Sequence, residues 1–315
     1  MKNQMRWQSM AKGLLTFLPF FNRWSNSQAG SHVGARYFYS VWLRHLVKVE
    51  SVRPGFSFEV VAELGPGDAL GIGICALLSG SKHYVGLDQI PFGLGADNTL
   101  LLDELVALFE NRTPIPNDIE MPGVYPKLED YSFPHHILSS EILKISLSET
   151  RIQQLRHALS SNEFDVGNLI SYAAPWNSSD LVAPASVDLL LSQAVLEHVN
   201  DIDVTYQAMQ LWLKPGGIMS HRIDYTSHGI TRDWFGHWTL LPWEWKLVRG
   251  RREYLINRKP HSVHLKSLAA KKFNILSCVT THSEQKAPTE DMRVDYAPSD
   301  IDITGAYVVA ELRDS

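Results

Sequence analysis

Four residues suited to ligand binding stand close together early in the chain: Glu63, Gly65, Gly67 and Asp88. Glu63 ends an apolar run, and the two glycines form a turn before a second apolar run. Glycines at such a turn let the backbone approach a ligand, and the helix that follows presents free N–H groups at its start. Asp88 ends the segment 83–88, and a carboxylate there can bind both hydroxyls of a ribose. The pattern predicts a strand, a turn and a helix that bind a nucleoside-containing ligand.

A dinucleotide fits this turn less well than other nucleoside ligands. Its fingerprint, G-x-G-x-x-G, needs a third glycine at position 70, where the chain has Leu70. Glu63 also stands where it would repel a pyrophosphate. A carboxylate before the turn suits instead a ligand with a positive end, such as the ammonium of an amino acid or a sulfonium.

Three further segments follow in order: SVDLLLSQAVLEHV (186–199), LWLKPGGIMSHRID (211–224), and the pair FNILSCVTTH and GAYVVAEL near the C-terminus. With the E-x-G-x-G turn and the acid after strand two, the chain resembles the class I S-adenosylmethionine-dependent methyltransferases. The segments resemble that family's fourth strand, the turn into its fifth strand and its closing antiparallel hairpin. Within the family, the chain looks most like bacterial methyltransferase-domain proteins of uncharacterised substrate.

The resemblance implies S-adenosyl-L-methionine as the cofactor and assigns the residues that hold it. Glu63, Gly65 and Gly67 would line the methionine end, and Asp88 would hold the ribose. Residues just after strand three, from Tyr172, would flank the adenine, and Gln193 at the end of strand four would face the sulfonium. The chain departs from many relatives because no acid directly follows strand three to bind the adenine amino group.

The resemblance also implies an α/β fold: a doubly wound, Rossmann-like seven-stranded sheet with a C-terminal antiparallel β hairpin, a helical lid and insertions. We expect residues 1–55 to form a helical lead-in or lid and residues 56–315 to form the methyltransferase domain. Insertions are expected at about 90–165 and 225–270, because these connections are too long for ordinary loops. Strands are predicted at 57–64, 83–88, 166–172, 187–193 and 218–223, besides the hairpin.

Methyl transfer is an in-line displacement at carbon, so the enzyme must align the nucleophile and accept its proton. Candidate catalytic residues follow strands four and five: His198, Asp224 and His228. Imidazole titrates near neutral pH, and a carboxylate can orient it. Asp224 and His228 fall in the loop at the end of strand five, where ligands bind in such sheets. His221, within the strand, is better explained as a core histidine.

The second insertion is rich in aromatic and basic residues. His237, Trp238, Asn257 and Arg258 are candidate substrate residues, because aromatic faces suit a sugar or flat ring and guanidinium groups bind phosphate or carboxylate. The alternative is a helical subdomain that uses its tryptophans as core.

The composition excludes several classes of protein. Two cysteines among 315 residues give neither a disulfide framework nor metal-ligand spacing, so no metal site is expected. No apolar run approaches about 18 residues, so no transmembrane helix is expected. The basic, apolar N-terminus lacks a prompt small-x-small cleavage site, and we therefore expect a cytoplasmic protein.

The net charge of −5 is unevenly spread. Residues 1–53 carry eight Lys or Arg against one acid, and residues 245–272 carry nine against one. Such segments suit an anionic substrate or surface, or they pair with the acidic remainder of the chain. Aromatic residues near the N-terminus would allow peripheral contact with an anionic membrane; they are Trp7, Phe17, Phe20, Phe21 and Trp24.

We therefore expect an enzyme that methylates oxygen or nitrogen of a small-molecule or carbohydrate-type acceptor. One alternative is a methyltransferase acting on RNA or another polyanion; another is a non-catalytic S-adenosylmethionine-binding protein. Nucleic acid is the less favoured partner, because no N-P-P-Y-type tetrad follows strand four and the basic segments contain no recognisable nucleic-acid module. The intact glycine turn argues against a loss of cofactor binding.

Overall fold

The computed structural model describes residues 7–17, 34–95, 97–161, 164, 168–176, 181–252 and 255–313. Seven strands of these residues form one sheet: β1 (Val60–Leu64), β2 (His83–Leu87), β3 (Ile170–Ala173), β4 (Val187–Gln193), β5 (Leu213–Asp224), β6 (Phe273–His282) and β7 (Ile303–Leu312).

The strand order is β3-β2-β1-β4-β5-β7-β6. The first five strands are parallel, and β7 pairs antiparallel with both β5 and β6. Strands before β4 are added on one side of β1, and β4 and β5 are added on its other side, so the carboxyl ends of the parallel neighbours β1 and β4 leave a crevice for ligands. The predicted fold class, with its closing antiparallel hairpin, is confirmed.

Strand bounds follow the sequence patterns closely where the apolar run is uninterrupted. β4 and β6 occupy the predicted residues, whereas β3 is four residues long and starts later than predicted. β5 begins at Leu213, ahead of the Lys-Pro-Gly-Gly turn. Leu213 and Ile218 both pair with β4, and the four residues between them form a bulge.

One face of the sheet is covered by five helices: α2 (Ala35–Val52), α3 (Gly71–Leu78), α4 (Asn98–Glu110), α5 (Ser140–Ser146) and α6 (Glu149–Ser161). α2 packs against α3, α4 and β5. It buries large side chains at helical spacing, among them Phe38, Trp42 and Leu46. Gly71 allows the close approach, because a Cβ there would meet the ring of Phe38 at 2.1 Å. The lead-in helix therefore shares one hydrophobic core with the sheet.

The loop between α4 and α5 is held by a buried arginine of α2. The Arg44 side chain is fully buried and donates hydrogen bonds to the carbonyl oxygens of Pro116, Val124 and Pro126. It also pairs with Asp118 at 3.0 Å. A long loop packed inside a domain needs partners for its backbone carbonyls, and this single guanidinium supplies them.

The opposite face of the sheet is covered by α7 (Ile202–Trp212) and α10 (His261–Ala270), which share a second apolar core with the sheet. The second insertion forms α8 (Gly236–Thr239) and α9 (Pro242–Arg249). The N-terminal α1 (Trp7–Leu15) packs on α9 at Gly13, where a Cβ would lie 2.0 Å from the carbonyl oxygen of Leu247. Thr16, just after α1, accepts the backbone N–H of Arg251.

Candidate active site

The turn after β1 is tied to the end of β2. The backbone N–H of Gly65 donates to the carbonyl oxygen of Leu87 at 2.7 Å, and that of Gly67 donates to Oδ2 of Asp88 at 3.1 Å. Both glycines have positive φ, +67° and +71°, which non-glycine residues rarely adopt. A Cβ on Gly65 would lie 2.6 Å from Val195, whereas a Cβ on Gly67 would meet nothing within 4 Å. Gly67 thus leaves open space beside the backbone.

Asp88 keeps the capacity to bind hydroxyl groups. Its Oδ1 accepts the backbone N–H of Gln89 at 2.7 Å, and Oδ2 accepts that of Gly67. Each carboxylate oxygen has two acceptor positions, so the carboxylate can still accept a hydrogen bond from a ligand. Burial raises the pKa of Asp88 above its usual value, and hydrogen bonds from the backbone N–H groups of Gln89, Gly67 and Ile90 counter part of that rise.

A cleft of about 1030 Å³ opens at the carboxyl ends of β1, β2 and β4. Gly65, Gly67, Asp88 and His198 line it, which brings predicted cofactor residues and one predicted catalytic residue together. Its apolar lining comes mainly from the loop after β2, from the loop after β4 and from α7: Ile90, Phe92, Val195, Val199, Val204, Ala208 and Leu211.

Trp176 also lines this cleft and was missed by the sequence analysis. Its backbone N–H donates to the carbonyl oxygen of Asp88 at 2.9 Å, which holds the residue at the end of β2. Its ring packs edge-on against Trp212 of α7 at 5.8 Å between centroids. The signal in the sequence was an aromatic residue directly after the proline that follows strand three.

Glu63 and Tyr172 lie beside the cleft and are not among the residues that line it. Glu63 is buried on the α3 side of the sheet, where it accepts the hydroxyl of Tyr84 at 2.6 Å. Burial raises its pKa to about 8. The Tyr172 hydroxyl donates to the carbonyl oxygen of Ile90 at 3.3 Å. Their predicted cofactor contacts stay predictions, and each residue also supports the loops that form the cleft.

Gln193 is held by two elements that fold over the end of β4. Its Oε1 accepts Nε2–H of buried His45 from α2 at 3.1 Å, and its Nε2 donates to the carbonyl oxygen of Tyr125 at 3.1 Å. His45 contacts Ser220 of β5 through Nδ1. Gln193 is likewise outside the cleft lining, so its predicted place at the sulfonium stays a prediction.

The three predicted catalytic residues lie together. The rings of His198 and His228 are 5.2 Å apart between centroids, and Nε2 of His228 lies 3.5 Å from Oδ2 of Asp224. Burial would raise the pKa of Asp224, but hydrogen bonds from His228 and Thr226 outweigh burial and lower it to about 2. Asp224 is therefore a carboxylate at neutral pH and can stabilise a positive charge on His228.

The backbone around this cluster is strained at two points. Ala194, just after β4, has φ +56°, and His228 has φ +48°. Residues with side chains adopt such angles only where the surrounding structure holds them, and these positions concentrate at functional sites. Both strained residues flank the carboxyl ends of the strands that carry the cluster.

Glu197 belongs to the same cluster and was missed by the sequence analysis. It is buried, and no described side chain donates a hydrogen bond to its carboxylate oxygens. Burial and, to a lesser extent, the nearby carboxylate of Asp224 raise its pKa to about 8, against a lowering effect of backbone N–H groups. Nothing local in the sequence marked this carboxylate as buried.

The four predicted substrate residues have structural partners. His237 and Trp238 are buried, and Trp238 belongs to the core on the α7 side of the sheet. Asn257 donates from Nδ2 to the carbonyl oxygens of Leu196 and Val199 at 2.8 and 3.1 Å. Arg258 donates to those of Trp238 and Leu240. None of the four lines the described cleft, so the alternative of a tryptophan-containing core fits their positions better.

The N-terminal aromatic residues are partly within the described residues. Trp7 is 80% exposed and Phe17 is 45% exposed, while Phe20, Phe21 and Trp24 lie outside the described residues. Contact with an anionic membrane stays a prediction. In the part of the chain that the structure describes, no helix combines the length and apolar character that a bilayer crossing requires.

A family profile described as a methyltransferase domain matches residues 131–220. The chain matches none of the curated proteins. Solved structures with a similar fold include an S-adenosylmethionine-dependent methyltransferase from Mesorhizobium loti, with 14% identity over 85% of this chain and 97% of that chain, and a TM-score of 0.42.

Two further solved structures resemble this chain to a similar extent in identity and TM-score. The magnesium protoporphyrin IX methyltransferase of Synechocystis, solved with S-adenosylhomocysteine, has 12% identity over 97% of this chain and 99% of that chain, and a TM-score of 0.43. Phosphoethanolamine N-methyltransferase 2 of Haemonchus contortus has 13% identity over 89% of this chain and 57% of that chain, and a TM-score of 0.42.

The profile match agrees with features of this chain. The matched residues include β3, β4 and the first part of β5, and the whole sheet has the predicted strand arrangement with its antiparallel hairpin. The glycine turn after β1 and the acid after β2 meet at one cleft. The chain therefore contains a methyltransferase domain at residues 131–220.

Proposed function

We propose that this methyltransferase transfers the methyl group of S-adenosylmethionine to an oxygen or nitrogen of a small-molecule or carbohydrate-type acceptor. The observation that carries the proposal is one cleft lined by Gly67 and Asp88 as well as by His198. His198 contacts His228, whose partner is Asp224. Groups suited to bind a nucleoside cofactor thus share one cleft with the imidazole of His198.

The cofactor end of the cleft fits a nucleoside. The open space beside Gly67 leaves room for a ligand against the backbone, and the carboxylate of Asp88 at the same place can accept hydrogen bonds from ribose hydroxyls. Trp176 and Phe92 provide apolar surface for the base. When bound, the cofactor supplies a methyl group on a positively charged sulfur.

The polar end of the cleft fits a nucleophile that loses a proton. In the transfer, a carbon–oxygen or carbon–nitrogen bond forms as the carbon–sulfur bond breaks, and the acceptor's proton must leave. The Asp224 carboxylate stabilises positive charge on the adjacent imidazole of His228, so the cluster can accept that proton.

A small acceptor is favoured over a polyanion by the way the basic side chains are used. Within the basic segment, Arg249 donates to Oδ1 of Asn200, Arg252 donates to the carbonyl oxygen of Val248, and Arg258 donates to two carbonyl oxygens. Guanidinium groups engaged in internal hydrogen bonds are less available to a phosphate backbone.

The test has two stages. Calorimetric titration with S-adenosylhomocysteine, with NAD as the control ligand, should give binding only of the former. A screen of sugars, phenols and amines for release of S-adenosylhomocysteine should then identify an acceptor, and RNA is included in the screen as a polyanion. Transfer to RNA alone would replace the proposed acceptor class. Cofactor binding without transfer to any compound tested would favour the non-catalytic alternative.

A further inference from the structure

We propose that Glu197, His198 and His228 form a binding site for a divalent transition-metal cation at the acceptor end of the cleft. The inference rests on the proposed function, because the cation would lie where the acceptor binds. It revises the sequence-based expectation that the protein has no metal site, which considered only the spacing of cysteines along the chain.

The first argument is the position of the donor atoms. One carboxylate oxygen of Glu197 and one ring nitrogen from each histidine all lie within 4.8 Å of one another. A cation bound at about 2.0–2.2 Å to each donor holds neighbouring donors roughly 3–4 Å apart. Small side-chain rotations are therefore enough to close the site.

The second argument is the carboxylate of Glu197. The residue is 3% exposed, and no described side chain donates a hydrogen bond to its oxygens, which face only the backbone N–H groups of Glu197 and Asp224. An isolated charged carboxylate is costly to bury, and native structures pair such groups or use them to hold metals. A cation that binds there would displace the proton of Glu197, and a carboxylate oxygen with two imidazole nitrogens is a donor set that suits Zn²⁺, Mn²⁺ or Co²⁺.

The third argument is that the surrounding structure holds the donors in place. The backbone N–H of Asn257 donates to the carbonyl oxygen of Glu197, and its side chain donates to the carbonyls on either side of the Glu197–His198 pair. Asp224 contacts Nε2 of His228 at 3.5 Å, as carboxylates do when they orient a metal-binding imidazole. The positive φ of His228 shows that its loop is held in a defined conformation.

The fourth argument is access. His198 lines the cleft, and the side chain of His228 is 30% exposed, so a cation can enter and keep positions open toward the acceptor. Three protein donors with an open position are typical of catalytic metal sites. With a cation bound, His228 would be a ligand and would not accept the proton; the cation would lower the pKa of an acceptor hydroxyl, whose proton would pass to solvent before the oxygen attacks the methyl carbon.

The experiment measures metal binding directly, on full-length protein without a histidine tag and freed of metal with a chelator. Titration with Zn²⁺ by calorimetry and with Mn²⁺ by electron paramagnetic resonance should show one site per chain. Glu197→Gln keeps the shape of the side chain and removes its charge. His228→Gly removes the imidazole and tolerates the positive φ. Each variant should weaken binding of the cations at least tenfold.

His282→Ala is the matched control, because His282 also pairs with a carboxylate, Asp302, and lies at the surface on β6. It should bind both cations as the unmodified protein does. S-adenosylhomocysteine affinity is measured on the same samples and should be unchanged in all three variants. The metal site would be overturned if the unmodified protein bound no cation, or if Glu197→Gln and His228→Gly bound cations as tightly as the unmodified protein does. Binding of S-adenosylhomocysteine in the same samples would still support the proposed function.

Discussion

The backbone N–H of Gly67 donates to the carboxylate of Asp88 at 3.1 Å, so the turn after β1 and the acid after β2 form one unit. This bond fixes the carboxylate beside the open space at Gly67. Strands one and two are neighbours in the sheet, which is why residues 21 positions apart meet here. The unit accounts for the cofactor end of the cleft.

Asp88→Ala should weaken S-adenosylhomocysteine binding by about 1–3 kcal/mol, because the ribose hydroxyls lose their acceptor. Calorimetric titration measures the change directly. Asp130→Ala, an exposed acid outside the cleft, should leave the affinity unaltered. Equal affinity in Asp88→Ala and the unmodified protein would place the ribose elsewhere.

His228→Gly should lower kcat by roughly 10²-fold or more and leave cofactor affinity intact, because the acceptor end of the cleft loses its paired imidazole. The rate is measured with the acceptor found in the screen, and His282→Ala serves as the control. If kcat were unaltered, His228 would be a loop residue without a part in the transfer.

Asn257→Ala should destabilise the fold by about 1–3 kcal/mol, because two backbone carbonyls in the loop after β4 lose their donor. Urea denaturation followed by tryptophan fluorescence measures the loss. A substrate-binding role predicts the opposite pattern: unchanged stability with a raised KM for the acceptor.

Arg44→Met should destabilise the fold by about 3–5 kcal/mol, because three buried carbonyl oxygens and Asp118 lose a common partner. The comparison is Arg36→Met, whose ion pair with Glu120 is exposed at the surface and should be worth less than about 1 kcal/mol. Similar losses from both substitutions in chemical denaturation would contradict the assigned role of Arg44.

His221→Asn should reduce the loss of stability at acidic pH. Burial lowers the pKa of His221 to about 3, below the ordinary value of 6.5, so the unfolded chain binds a proton there that the folded protein does not. The free energy of unfolding therefore falls as pH drops below about 6.5, by up to about 1.4 kcal/mol per pH unit from this residue.

Denaturation curves of both proteins at pH 7.5 and 5.5 give the comparison. The unmodified protein should lose more stability between these two values than His221→Asn does. Burial also lowers the pKa of His45, to about 4, and this residue is unchanged in the variant. Some loss of stability at acidic pH should therefore remain. Parallel losses in the two proteins would show that His221 is protonated equally in the folded and unfolded states.

Much of the fold follows from local patterns in the sequence. β4 and β6 have the predicted bounds because each is an apolar or β-branched run bounded by turn residues. The turn at Gly65 and Gly67 was also predictable, since its positive φ angles require glycine. The acid after β2 was placed correctly because parallel strands present their carboxyl ends at one edge.

The sequence by itself thus determined the order of strands and helices and the turn where the cofactor is expected, because these depend on neighbouring residues. Only the tertiary structure brought Glu197 and His198 beside His228, 30 positions later, and placed Trp176 in the cleft. It also showed that Asn257 and Trp238 support the fold. These roles are decided by burial and by long-range hydrogen bonds. Burial and such bonds depend on which elements pack together when the chain folds.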